Sequence, residues 1–172
     1  RFFTRALADL GLLEEREPVE RLVNQGTVLH SGEKMSKTKG NVVNPHEYGA
    51  ETTRLFVLSA AHPEQDFEWT AKDVGSAYDL QQTLFDMVTD FVDRGTVRDE
   101  REPHDAYVER EVDRTVAAVT EDFERFRFHQ AVNEIRGLAT LLRQYRGFAT
   151  PHADVYRHGL LVVARLIAPL AP

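Results

Sequence analysis

No cysteine occurs among the 172 residues, which excludes a disulfide framework, a thiol nucleophile and a cysteine-based metal site. That composition suits an intracellular protein. Long apolar runs are missing too: the longest, Gly159 to Pro172, is interrupted by Arg165 and falls short of the roughly 20 residues a bilayer span needs. The opening RFFTRALADL is amphipathic and lacks the charged head and small-residue cleavage site of a signal peptide. A soluble chain with no membrane partner is expected. Lysine is the scarcest charged residue, four against seventeen arginines, and three of the four (Lys34, Lys37 and Lys39) fall within GEKMSKTKGN, residues 32–41.

The net charge of -7 is unevenly placed. Residues 1–50 carry seven Lys/Arg and seven Asp/Glu, whereas residues 51–172 carry fourteen and twenty-one. Bulk acidity argues against nucleic acid, since phosphates are held by clustered positive charge. A basic surface would have to survive locally.

Phe2, Phe3, Ala6, Leu7 and Leu10 recur at helical spacing, with Gly11 as a C-terminal cap. Pro18 is placed to start a short helix through Asn24, ended by Gly26. TVLHS, residues 27–31, is β-prone, and GEKMSKTKGN follows as a polar loop. From Ala50 the character is helical: residues 50–61, then a loop HPEQDFEW, then a long helix opened by Thr70 and Asp73 as a near capping box. That helix carries Val74, Ala77, Tyr78, Leu84, Phe85, Val88, Phe91 and Val92 at a 3.6-residue period. After a charged break, one helix carries Val108, Val112, Val116, Val119, Phe123 and Phe126, and another carries Ala131, Ile135, Leu138, Leu142 and Tyr145. Thr150 and Pro151 read as cap and first turn of a last helix through Ile167, stopped by Pro169. The fold class expected is mainly α: a helix bundle preceded by the terminal helix–strand–loop piece of a Rossmann-like α/β domain. The divisions expected are 1–49 for that piece with its lysine loop, 50–92 for connecting helices including the first of the bundle, and 93–172 for the remaining helices.

A short basic run is usually a solvated turn, yet KMSK followed by Ser or Thr arises by chance in only about one such chain in ten thousand. With YGAETTRLF after it, KMSKTKGN resembles the class I aminoacyl-tRNA synthetases, whose KMSKS loop joins the nucleotide-binding fold to a helical anticodon-binding-type domain. EPVERLVNQGTVL before the loop and AAHPEQDFEW after it look like the leucyl branch. The resemblance covers nearly the whole chain and is strongest from Glu17 to Val74. It implies ATP and Mg2+ as cofactors, leucine and tRNA(Leu) as partners, a cytoplasmic location and a monomer. Lys37, supported by Lys34, is implied to be the catalytic contact to the phosphates, and Lys34, Met35, Ser36, Lys37 and Thr38 the ATP-binding loop. A flexible ammonium suits that task, because negative charge builds on the departing pyrophosphate. Gly32 and Gly40 would let the loop swing.

Thr38 stands where the family has Ser, Glu51 where it has Asp, and the link from Pro45 to Tyr48 is short. None of the seven histidines forms the H-x-G-H pair that supplies the other half of ATP binding in this class, and LIAPLAP looks like a helix that runs on in the family. A fragment, inert by itself, is expected. Other readings are a valyl, isoleucyl or methionyl relative, and a helical RNA-binding module with a vestigial loop.

Between Phe123 and His158 stand six arginines against three acids. Arg125, Arg127, Arg136, Arg143 and Arg146 are the candidate tRNA surface, Arg136 and Arg143 being seven apart on one helix face. No metal-ligating residues are assigned. The acid excess with scarce lysine suggests adaptation to high salt, where screening would mute repulsion from tRNA. A G+C-rich genome explains the arginine-to-lysine ratio but not the acidity.

Overall fold

The computed structural model describes residues 1–148 and 150–172, without the side chains of Pro45 and Arg94. Its elements in order are α1 (Phe2–Asp9), β1 (Val28–His30), β2 (Glu33–Lys34), α2 (Ala50–Ser59), β3 (Phe67–Glu68), α3 (Ala71–Arg94), α4 (Pro103–Glu124), α5 (Phe128–Phe148) and α6 (Ala153–Ile167). Short 3₁₀ turns cover Lys37–Lys39 and Pro45–Glu47. The architecture is mainly helical, a bundle with a small sheet at one end.

Gly11 ends α1 as expected. It lies at φ +72°, its N–H meets the carbonyl of Ala8, and the N–H of Leu12 reaches back to Leu7 at 2.9 Å, the paired closure that a left-handed residue permits. The helix expected over 18–24 is absent. Seven residues cannot repay helix nucleation without packing, and Val19 and Leu22 remain 52% and 62% exposed. The segment is irregular instead, with bends at Pro18 and Glu20 and Arg21 over the ring of Phe126 at 5.0 Å. Gly26 is needed for close approach rather than for ending a helix. A Cβ there would stand 2.0 Å from the carbonyl oxygen of Gln65.

HPEQDFEW is not wholly a loop. Its Phe67 and Glu68 form β3, parallel to β1 in the register Val28↔Phe67 and Leu29↔Glu68, while β2 pairs antiparallel on the other edge of β1. Phe67 turns inward, with the ring of Phe56 5.8 Å away edge-on. Thr70 then caps α3, accepting the N–H of Asp73 at 3.1 Å.

In the bundle α5 lies centrally, packed on α4 and α6 and touching α2 and α3. Ala131, Ile135, Leu138, Leu142 and Tyr145 are all buried, as their period requires. On α3 the expected stripe is too wide: Val74, Ala77, Leu80 and Met87 are buried, but Tyr78, Phe85, Val88 and Val92 face outward. Val116 on α4 is also exposed. Phe126 stands beyond α4, at φ +58° in the turn to α5.

The last helix starts two residues later than its sequence signal. His152 is its N-cap, because the backbone before it is taken by another partner. Arg98 bridges to this stretch, its N–H donating to Pro151 and its carbonyl accepting from Ala153, both at 3.0 Å. The Arg98 guanidinium grips Asp105 at 2.6 and 2.9 Å, and Asp105 also accepts from the backbone of Glu102 at 2.8 Å and the Tyr145 hydroxyl at 2.5 Å. That hydroxyl in turn accepts the N–H of His152 at 2.8 Å. Burial pushes the Asp105 carboxyl upward, but the hydrogen bonds from Arg98, Glu102 and Tyr145 outweigh it and hold the group well below the usual carboxylate range. Burial, then the bond to Asp105, raises the Tyr145 phenol to about 12. One buried carboxylate thus joins the α3–α4 connection to α5 and to the start of α6.

Candidate functional site

The lysine loop is more ordered than a polar loop. His30 and Glu33 pair across a two-residue turn in which Ser31 and Gly32 lie at φ +57° and +74°. Two central residues with positive φ match the twist of a tight hairpin, and glycine adopts that conformation freely whereas serine does so at a cost of about 1 kcal/mol. β2 delivers Lys34 to the surface. Met35 then bonds back to Val28 at 3.3 Å, and Ser36 caps the Lys37–Lys39 turn by accepting the N–H of Lys39 at 3.2 Å. Gly40 ends that turn at φ +68°.

Asn41 staples the loop, a role that its place in the sequence did not reveal. Its side-chain oxygen accepts the Ser36 N–H at 2.9 Å and its amide donates to the Lys34 carbonyl at 3.3 Å. Its own carbonyl contacts His30 Nδ1 at 3.0 Å. The segment 34–41 is therefore closed upon itself at its base. Lys34, Lys37 and Thr38 are exposed, and Met35 and Ser36 are half-buried.

The three loop lysines differ in their partners. Lys39 is paired with Glu33 across the hairpin at 2.8 Å. The ammonium groups of Lys34 and Lys37 have no ionic or hydrogen-bonded partner among the described residues. Two uncompensated ammonium groups beside a capped turn are equipped to take an anion of several oxygens.

The five arginines do not form one cluster. Arg125 and Arg127 flank the α4–α5 turn, both against Glu121 at 3.0 and 3.2 Å, and Arg127 also approaches Asp122 at 2.9 Å. Arg146 lies near the other end of α5, roughly 30 Å away at 1.5 Å per residue. It pairs with Asp90 and lies over the ring of Tyr156 at 5.7 Å. Arg136 donates to the carbonyl of Ser76 at 3.3 Å, binding α5 to α3. Arg143 is exposed and has no partner among the described residues. Arg136 and Arg143 remain together on α5.

Residues 2–70 match the family of class I tRNA synthetases (I, L, M and V), and residues 105–172 match the anticodon-binding domain of tRNA ligases. The chain is similar to the class I aminoacyl-tRNA synthetases over both matched regions, with the lysine hairpin in the first and the α4–α6 bundle in the second. Within that class its similarity is to the leucine–tRNA ligases. It is 40% identical to that of Halobacterium salinarum, 37% to that of Citrifermentans bemidjiense and 35% to that of Paramagnetospirillum magneticum, over 100% of this chain in each case. It spans 20%, 22% and 25% of their lengths. The crystal structure of the ternary complex of Agrobacterium radiobacter K84 agnB2 LeuRS, tRNA and LeuAMS superposes with a TM-score of 0.83 at 29% identity, over 99% of this chain and 24% of that one.

Proposed function

We propose that this chain is the part of a leucine–tRNA ligase that carries the phosphate-contacting loop and the tRNA-binding helices. The parent enzyme joins leucine to ATP and passes the leucyl group to tRNA(Leu). The observation that carries the reading is the pairing pattern of the loop: Lys39 is neutralised by Glu33, while Lys34 and Lys37 are left free.

In the first step a leucine carboxylate oxygen attacks the α-phosphorus of ATP. The P–O bond to the β-phosphate breaks, and pyrophosphate departs with the added negative charge. Lys37, exposed at the start of the capped turn, meets that charge as it develops, and Lys34 on β2 supports it from the hairpin. A contact that strengthens toward the transition state lowers the barrier, whereas equal binding throughout would not. The Ser36 and Thr38 hydroxyls add hydrogen bonds to phosphate oxygen. Among the described residues no three carboxylate or imidazole side chains converge, and the loop offers ammonium, hydroxyl and N–H donors, which do not fit a cation. Mg2+ would therefore be held by the triphosphate oxygens and supply charge neutralisation there.

Of the five candidate arginines Arg143 has no partner among the described residues, and Arg136 accompanies it on the same helix face, so these two lead the tRNA contact. Arg125, Arg127 and Arg146 extend it at the cost of their present ion pairs. No described helix is long and apolar enough to cross a membrane. A cytoplasmic monomer completes the reading.

The test is leucine-dependent ATP–pyrophosphate exchange by the full-length ligase. Lys37→Ala is expected to lower kcat by about 10²–10³, the range for losing one transition-state contact, with a smaller effect on KM for leucine. Wild-type kcat in that variant would overturn the role of Lys37. Exchange with valine, isoleucine or methionine in place of leucine would replace the amino-acid assignment.

A further inference from the structure

We propose that Glu68 is a positioning residue for the lysine hairpin: from β3 its carboxylate holds the turn between β1 and β2, and so sets where Lys34 and Lys37 stand when they meet phosphate. This rests on the reading of the loop as a phosphate contact. The N–H of Gly32, at the tip of the turn, donates to both carboxylate oxygens of Glu68 at 3.3 Å. Among the described residues no other side chain binds Ser31 or Gly32.

The arm that reaches this tip is held rigidly. Glu68 stands opposite Leu29 in the parallel ladder, with Phe67 N–H on Thr27 at 3.1 Å and Trp69 N–H on Leu29 at 2.7 Å. Both aromatic neighbours meet the ring of Phe56, at 5.8 and 4.9 Å. Asp66, two residues before Glu68, accepts the N–H of Thr27 at 2.5 Å, where the chain enters β1. Two acids, Asp66 just before β3 and Glu68 on it, therefore hold the same hairpin at its entrance and its tip.

The carboxylate is not otherwise engaged. Glu68 borders a polar cleft of about 390 Å³ shared with Asp73 and Arg136. Asp73 is taken by the Thr70 cap and Arg136 by the Ser76 carbonyl, both within the bundle. Glu68 is the charged group of that cleft whose hydrogen bonds leave the bundle for the hairpin. A turn containing serine at positive φ has a conformation to lose, and a fixed acceptor on its exposed N–H favours the one in which Lys34 points outward. Lys34 lies two residues from the held N–H, and the capped turn of Lys37 follows directly.

The experiment uses the full-length ligase. Glu68→Ala is expected to lower kcat of leucine-dependent pyrophosphate exchange by about tenfold, the effect of losing one hydrogen bond to a charged group, with KM for leucine unchanged. Glu68→Gln keeps an acceptor oxygen at the same reach and is expected to recover more than half of the lost rate. Hydrogen–deuterium exchange over residues 28–34 should be faster in the alanine variant and near wild type in the glutamine variant. Wild-type turnover by Glu68→Ala would overturn the proposal, as would a glutamine variant as slow as the alanine one or unchanged deuterium exchange. If the wild-type enzyme exchanges pyrophosphate with another amino acid, the leucine assignment fails and the comparison is made with that amino acid. If it exchanges with none, the reading of the loop fails, and deuterium exchange alone decides whether Glu68 holds the turn.

Discussion

Replacing Asp105 by Asn tests whether the buried carboxylate holds the helices together. Asp105 is 1% exposed and receives four hydrogen bonds, two from Arg98 and one each from Glu102 N–H and the Tyr145 hydroxyl. Asparagine is isosteric but turns one acceptor into a donor facing other donors, and removes the charge that compensates Arg98, whose side chain is 16% exposed. Breaking a buried pair from one side costs about 3–5 kcal/mol. Glu102, 3.6 Å from Arg98, takes over part of the charge, so the lower figure applies, about 3 kcal/mol. For a chain of this size each kcal/mol moves Tm by about 2–4 °C, giving a loss of about 6–12 °C in a thermal melt followed by circular dichroism. Tyr145→Phe, which strands the buried His152 N–H, should cost about 1–3 kcal/mol. The double variant should lose less than the sum, since both act on one network. An Asp105→Asn melt within about 2 °C of wild type would refute the argument. The sign with pH is fixed by the two shifts. Asp105 titrates low when folded, so its contribution is in place above about pH 4 and is lost as pH falls below the unfolded carboxylate value. Tyr145 is raised to about 12, so its contribution is in place below about pH 10 and is lost as pH rises through the folded value.

Reversing both Arg136 and Arg143 to Glu in the full-length ligase should weaken tRNA(Leu) binding and reduce the dependence of log affinity on log salt by about 1–2; an unchanged slope would remove this face from the tRNA surface. Gly26→Ala forces a Cβ to within 2.0 Å of the Gln65 carbonyl oxygen and should open the approach that starts β1 and β3, seen as faster deuterium exchange over residues 27–31; exchange at the wild-type rate would count against the contact. With a net charge of -7, the chain should melt at higher temperature in molar KCl than in dilute buffer; a Tm independent of salt would leave the acidity without a stabilising partner in solution.

Features whose cause lies within a few residues were legible in the sequence. The α5 stripe, the Thr70 cap and the Gly11 closure each depend on neighbours one to four positions away, and each stands where its spacing put it. KMSKT was legible for the same reason, because its chemistry is contiguous. What escaped depends on distant partners. β3 is two residues long and exists because β1 offers it a ladder from 39 residues away. The start of α6 moved because Arg98 occupies the backbone before it, and nothing near Thr150 announces that. The outward residues of α3 show a different limit: periodicity assigns a residue to a helix face, whereas the width of the buried part is set by the elements that pack on it. Asn41 and Glu68 carry no such signal, because an amide or a carboxylate in a polar stretch has no pattern until its partner is known.

The parallel pairing of β3 with β1 has a mechanical consequence. β3 is the lead-in to α3, so the base of the lysine hairpin and the foot of the longest helix share one ladder, with bonds of 3.1 and 2.7 Å. Hydrogen bonds of that length fail within about 0.5–1 Å of added separation, so the two parts turn as one piece, like a crank fixed to its shaft. Beyond the end of β2, the segment from Met35 to Gly40 is tied back to that ladder through the Met35 N–H on Val28 and closed by the Asn41 staple. The loop is therefore carried on a rigid mount, and a rotation of α3 re-aims the whole of it without bending it.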